Sequence, residues 1–467
     1  MSILTIRLDS KASERLYRQI YEQIRSEIVT GRLPPDGKLP SVRQLSRHLQ
    51  CSQNTVKTAY SQLYAEGYIT PRPKSGYYVG KIEGLLHIKK DAAYSPGKEP
   101  KRPVCKYDFS YQGVDLDSFP FSTWRKINRE VINEYDPELL TLGDPQGDFR
   151  LRSGIADYLR NSRGVECKPG QIVISSGTEY LLQLLIQLFH KECVYAIENP
   201  GYEKINLIFK SNRVTYRPIP LDRNGMIPDR LTESNADIAC ITPSHQFPTG
   251  GIMPISRRIQ LLNWANETKN RYLIEDDYDS EFKYRGKPIP SLQGLDKGEK
   301  VIYMGAFSKS LTPAIRISYM VLPEPLRKIY SEKLAFYICP VPTIEQKVLS
   351  RFIDEGHFER HLNRMRKIYR EKREILVSSI KRLLPTAEIE GANAGLHLIL
   401  YLNNGMNERE LADSAEKNGI RVFGCSQYYF DREISGRRPA LLLGFAALRK
   451  EEIPEAVEAL RDIWYLT

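Results

Sequence analysis

LPSVRQLSRHLQCSQNTVKTAYSQLYAEGYITPRPKSGYYV, residues 39–79, is the stretch on which the reading of the fold turns. Ser41 and Gln44 have capping-box spacing, so a helix is expected after Ser41 with Leu45 and Leu49 on one side. A turn around Cys51 follows. Ser52 then caps a second helix, whose buried face is expected to be Val56, Ala59, Tyr60 and Leu63, and Gly67 ends it. Residues 68–70 and 77–79 read as short strands around Pro71-Arg72-Pro73-Lys74-Ser75-Gly76. Upstream, Leu16, Ile20, Ile24 and Ile28 recur every fourth residue until Gly31 stops the run.

Helix, helix–turn–helix and basic hairpin follow one another in the order of an α+β winged helix-turn-helix. Such a unit enters the DNA major groove by the N-terminal end of its third helix. Ser52, Gln53, Asn54, Thr55 and Lys57 lie there. Gln and Asn pair with adenine edges, and Ser or Thr meets bases or phosphates. Arg43, Arg72 and Lys74 suit phosphates, which fix register. Each of these residues alone is an ordinary solvated side chain; the combination points to double-stranded DNA. Charge agrees. Of a net charge of +11, residues 1–80 carry twelve Lys/Arg against six Asp/Glu, and residues 81–106 seven against three, leaving the remaining body nearly neutral. A basic module on a neutral body expects a polyanion partner for that module only.

The 467 residues are too many for one core and suggest two or three domains. No apolar run approaches a membrane span, and residues 1–9 lack the basic-then-apolar order of a secretion signal. Seven scattered cysteines form no C-x-x-C pair, so no metal site or disulfide framework is expected, and reduced thiols in a cytoplasm are. The Pro-rich, basic stretch 94–106 reads as the end of a linker beginning near Lys81. The expected division is 1–80, linker 81–106 and a large domain 107–467, with a small subdomain over roughly 340–467. Within the large domain, strand-like runs at 171–175, 193–197, 237–241, 272–275, 301–304 and 317–321 alternate with helical stretches. That alternation argues an α/β architecture with a mixed, mostly parallel sheet. Residues 181–189 are apolar nearly all round and read as a buried helix.

The residues with chemistry fall just after these strands, where open α/β sheets bind ligands. SSGTEYLLQLL opens a helix, and Ser176, Gly177, Thr178 and Glu179 would cradle a phosphate on exposed N–H groups. Tyr202 in ENPGYEK can stack on a ring. IEDDYDSEF offers Asp276 to protonate a pyridine nitrogen and Tyr278 to hydrogen-bond the ring O3′. Of the acids around Asp276, Asp279 in particular reads as solvated. Ser308 and Lys309 lie in YMGAFSKSLTPAIRISY, and Arg316 adds a guanidinium to the phosphate.

Two resemblances follow from these motifs. Residues 11–80 look like the winged helix of GntR-type bacterial repressors, with Gln53 where those proteins commonly carry Arg. From about residue 107 onward, the order of phosphate loop, stacking aromatic, P-T-G turn, Asp/Tyr pair, lysine and arginine resembles the class I aminotransferases of fold type I, which use pyridoxal 5′-phosphate. The resemblance implies a Schiff base on Lys309, Asp276 on the pyridine nitrogen, Tyr278 on O3′ and Arg438 of GRRPALLLGF on a substrate carboxylate. Two departures stand out: Phe247 replaces the Asn usual before P-T-G, and Ala306 replaces a phosphate-binding Ser or Thr. They fit a domain that binds the cofactor without being tuned for turnover. The fusion of the two parts is that of the MocR/GabR subgroup. Its γ-aminobutyrate-responsive members carry Arg where this chain has Lys204, a point charge without the planar fork.

What the resemblance implies is a cytoplasmic, bacterial, PLP-dependent transcription regulator, a head-to-tail homodimer on a DNA operator. An amino-acid-like effector would displace Lys309 by external aldimine formation, held by Arg438 and Lys204. The alternative is a working aminotransferase carrying a DNA-binding domain. A third reading, a DNA-binding protein with a dead pocket, is opposed by the presence of Lys309, Asp276 and Tyr278.

Overall fold

The computed structural model describes residues 6, 8, 9, 14–81, 105–133, 135–284, 290–430 and 438–465. Most of the expected linker, residues 82–104, lies outside them. The chain divides into two compact units near residue 102.

In the first unit, α1 (Leu16–Val29), α2 (Val42–His48) and α3 (Gln53–Ala65) precede a hairpin of β1 (Ile69–Arg72) and β2 (Gly76–Val79). The Ser41–Gln44 capping box forms, and Ser52 accepts from the Thr55 N–H at 3.1 Å. Ile20, Ile24, Ile28, Leu45, Val56, Ala59, Tyr60, Leu63, Ile69 and Val79 make its core. Leu16 is only half-buried, because α1 begins there.

The second unit is built on an eight-stranded sheet. Its strands are β3 (Ile172–Ser175), β4 (Tyr195–Asn199), β5 (Tyr216–Asp222), β6 (Gly225–Met226), β7 (Ile238–Ile241), β8 (Tyr272–Asp277), β9 (Val301–Ala306) and β10 (Ser318–Val321). Their spatial order is β3-β10-β9-β8-β7-β4-β5-β6. Only β10 and β6 run against the rest. The carboxyl ends of β3, β4, β7, β8 and β9 therefore share one edge, and Arg316 reaches it from just before β10. Registers align Met304 with Asp276 and Ser318 with Ser175.

After β3 comes α4 (Thr178–Leu188). The sequence suggested a helix buried all round. Leu181, Leu182, Leu185 and Leu188 are buried, but Gln183 and Gln187 are exposed, because the helix covers one face of the sheet rather than threading the core. α5 (Glu203–Ser211) follows β4. Toward the C-terminus, α6 (His357–Leu383) and α7 (Glu452–Tyr465) pack beneath a second sheet, β11 (Glu388–Glu390), β12 (His397–Tyr401), β13 (Phe423–Gly424) and β14 (Ala440–Gly444). Tyr369, Leu376, Leu398, Leu400, Leu441, Leu443, Leu460 and Trp464 fill the space between them.

The winged unit hangs on a small core, so Leu63→Ala is expected to cost about 2–5 kcal/mol. Urea titration of the full chain, with hydrogen exchange read in residues 14–81, checks this.

Candidate functional site

The acid-rich end of β8 organises the pocket. Asp279, expected to be solvated, is only 2% exposed, and Glu275 and Asp277 are buried beside it. Burying a charge requires partners, and each of these three has them. Glu275 accepts from the N–H groups of Leu292 (2.8 Å) and Gln293 (2.9 Å). Asp277 takes Arg163 (2.8 Å), the Tyr303 hydroxyl (2.5 Å) and Ser280 (2.8 Å). Asp279 lies 2.9 Å from His245 Nδ1, which is also 3.0 Å from the Tyr278 hydroxyl. Asp276 is the exception. Its Oδ1 is buried with no hydrogen-bond partner among the described residues, and it lines the pocket. Burial first, then the charges of Asp277, Asp279 and Glu198, push its carboxyl up to about 7. A cation placed there would relieve it.

Lys309 lines the same pocket and donates to the backbone carbonyl of Tyr111. Burial lowers its amine to about 8, with Asp279 opposing. Tyr111, Tyr202 and Phe247 form an aromatic wall, with ring centroids 4.8 Å apart for Tyr111–Phe247 and 5.6 Å for Tyr202–Phe247. Ser308, Thr178 and Glu179 also line the pocket. The Arg316 guanidinium packs so closely over Gly177 that a Cβ there would collide with Nη2. That approach, at a helix N-terminus, suits a phosphate.

Several expected contacts are redistributed. The Gly177 N–H is spent on Ser318 Oγ (2.9 Å), and Ser176 offers its carbonyl to Arg316 (3.2 Å). Ser176 does not line the pocket with Gly177, Thr178 and Glu179. Lys204 lines the pocket, but its Nζ is held 2.8 Å from Glu179. Arg438 does not reach the pocket. It is exposed, paired with Glu388 at 2.9 Å and laid over the Tyr401 ring, because residue 438 lies just before β14 and its side chain crosses the end of β12 to reach β11. Sequence reasoning missed Tyr111, which lies 198 residues from Lys309 with no motif around it. It also missed the buried group of His245, Asp279 and His397, whose ligating atoms lie within 4.8 Å of one another, and Glu198, which burial raises to about 7. The orphaned Asp276 oxygen, the Gly177–Arg316 approach and the buried amine of Lys309 fit pyridoxal phosphate.

On the first unit, Gln53, Asn54 and Lys57 are exposed at the start of α3, as are Arg43 on α2 and Lys74 at the hairpin tip. Ser52 and Thr55 are less available than expected, since their hydroxyls bond each other at 2.9 Å within the cap. Arg72 is exposed too, but it pairs with Asp36 and lies over the Tyr78 ring, 4.1 Å from its centroid.

Comparison with known proteins places both units. Residues 111–460 match the family model of class I and II aminotransferases, and residues 16–79 that of the gntR family of bacterial regulatory proteins. The chain is 41% identical to the HTH-type regulator YdeL of Bacillus subtilis, covering 96% of each protein. It is 31% identical to a probable rhizopine catabolism regulatory protein, MocR, of Rhizobium meliloti (97% of this chain, 95% of that one). It is 32% identical to the pyridoxine biosynthesis regulator PdxR of Corynebacterium glutamicum, over 98% of each. Among solved structures, an archaeal alanine:glyoxylate aminotransferase matches with TM-score 0.70 and 28% identity, over 77% of this chain and 91% of its own.

Two outcomes are expected. Because the neutral amine of Lys309 gains population through about pH 8, the visible band formed on adding pyridoxal phosphate to cofactor-free protein should appear faster as pH rises through that value and level off above it; stopped-flow absorbance reads this, and Lys309→Ala should show no band. In filter-binding assays, Lys57→Ala should weaken DNA binding on all sequences alike and lower the salt slope by about one, whereas Asn54→Ala should cost about 1–3 kcal/mol on one operator only.

Proposed function

The chain belongs to the MocR-type regulators, GntR-family winged helices fused to a class I and II aminotransferase domain that uses pyridoxal phosphate, and from that premise we propose that it senses an amino compound at Lys309 and reports it to a DNA operator bound by residues 14–81. The observation that carries the reading is the convergence of Lys309, Asp276, Tyr278 and Arg316 on one pocket in a chain that also bears the exposed α3 face.

When bound, pyridoxal phosphate supplies an aldehyde carbon that Lys309 can yield to the amino group of an incoming compound. The residues divide the remaining work. Arg316 and the N-terminus of α4 hold the phosphate. Asp276, uncharged to about pH 7 until a cation faces it, holds a proton on the pyridine nitrogen. Tyr278, steadied by His245 and Asp279, donates to the ring oxygen. Tyr202 and Phe247 exclude water from the ring face. Ser308 supports the phosphate side beside Lys309. Among the DNA-facing residues, Gln53 and Asn54 read bases, while Arg43, Lys57 and Lys74 meet phosphates.

The protein acts in a bacterial cytoplasm as a head-to-tail homodimer. Phe121, Tyr135, Leu140 and Phe336 are all exposed, apolar surface that a second copy would cover. Among the described residues no helix is long and apolar enough to cross a membrane. An effector can bias DNA binding only by binding two states of the protein unequally.

A working aminotransferase is the second reading, favoured by the complete Lys309–Asp276–Tyr278 set; Phe247 and Ala306 lining the pocket weigh against it. An absorbance titration of the loaded full chain with a panel of amino compounds, run beside DNA footprinting, tests both. The regulator reading expects one compound to shift the visible band, to persist without keto-acid product and to change the footprint. Cycling with a keto acid, together with an indifferent footprint, would overturn it in favour of the enzyme.

A further inference from the structure

The phosphate seat contains a feature that a phosphate site does not call for: a carboxylate. Glu179 is the second residue of α4. Its Oε2 lies 3.2 Å from Arg316 Nη2 and 2.7 Å from where a Cβ on Gly177 would stand. The same side chain accepts from its own backbone N–H. Arg316 and the α4 N-terminus, the two anion-binding elements of the seat, are therefore both engaged by this one acid. Its other oxygen, Oε1, is 2.8 Å from Lys204 Nζ. Burial works to raise the Glu179 carboxyl, yet Lys204, its own N–H and Arg316 together hold it below the usual carboxylate range. It is an anion at neutral pH. A phosphate and a carboxylate at the same guanidinium repel each other.

We propose that Glu179 is a built-in competitor for the phosphate seat, and that Lys204 is the counter-ion to which it withdraws when the phosphate arrives. The pair sets the affinity for pyridoxal phosphate, and Lys204 is not the residue that grips the effector. This rests on the pocket holding pyridoxal phosphate. The ammonium of Lys204 suits the task, because a flexible point charge can follow a moving carboxylate, whereas the planar fork of Arg favours one fixed geometry. The cofactor then binds against an internal anion and is held less tightly than in a seat without one.

The test is an equilibrium titration with pyridoxal phosphate, followed by the visible band, on the full chain and on Glu179→Gln, Lys204→Gln and the double variant. Thermal melts confirm that each is folded. Removing the acid should lower Kd about tenfold, and removing its counter-ion should raise Kd about tenfold, the scale of one charge-assisted hydrogen bond. In the double variant, Kd should match Glu179→Gln alone, since Lys204 has nothing left to hold. Competition by inorganic phosphate, which senses only the seat, should move in the same ratios. An unchanged Kd in Glu179→Gln overturns the proposal. So does an equal loss from Lys204→Gln in both backgrounds, or a Lys204→Gln protein that binds the cofactor normally but no longer shifts its band with an amino compound. If the unmodified chain forms no band at any cofactor concentration, the cofactor reading itself falls.

Discussion

Burial of four acids within five residues at the end of β8 is the constraint on which the rest of the large unit depends. Carboxylates taken out of water are tolerated only when paired, and the surrounding elements are arranged to pair three of them. Arg163 and Tyr303 serve Asp277, the N–H groups of Leu292 and Gln293 serve Glu275, and His245 serves Asp279. The fourth, Asp276, is left facing the pocket with an orphaned oxygen. An uncompensated acid in a dry site is poised for a cation, and a protonated pyridine ring is one. The chemistry of the pocket thus follows from an acid cluster in which Glu275, Asp277 and Asp279 each have a partner and Asp276, on the pocket wall, has an orphaned oxygen.

The C-terminal sheet is tied to the same place. The backbone of Gly395, just before β12, lies so near His245 and Asp279 that a side chain would collide with both. The His397 ring is 4.6 Å from that of His245, and its Nε2 bonds the Pro248 carbonyl at 3.1 Å. Phe247, the departure from the aminotransferase pattern, is the hub of this region, with ring contacts to Tyr111, Tyr202, Tyr278, His397 and Tyr428. An Asn there would donate to the ring oxygen but could not fill that aromatic space. The substitution exchanges a polar contact with the cofactor for packing between the two sheets.

Local patterns were legible. The Ser41–Gln44 box, the Ser52 cap and the buried face Val56, Ala59, Tyr60 and Leu63 all follow from helical spacing and cap chemistry, which act within a turn or two of chain. All six expected strands formed within two residues of their expected starts. Legibility failed where a residue's partner is remote. Asp279 reads as solvated beside its neighbours in sequence and is buried because His245 comes from another loop. Arg438 sits in the expected motif, but β11 brings Glu388 to it. Arg72 keeps half its side chain exposed, but nothing in the sequence signals the Asp36 and Tyr78 contacts that the fold brings to it.

The sequence by itself determined the winged-helix elements, six strands of the large sheet and the residue types available for binding a phosphate, a pyridine ring and DNA, because helical and strand periodicity, caps and turn residues are short-range physics. Only the tertiary structure decided which charges are spent internally and which remain for a ligand. Lys204 is taken by Glu179, Arg438 by Glu388 and Asp277 by Arg163, while Asp276 stays unpaired. The reason is that ion pairing and desolvation act between groups far apart in the chain, and their distances do not exist until the sheet has set the register.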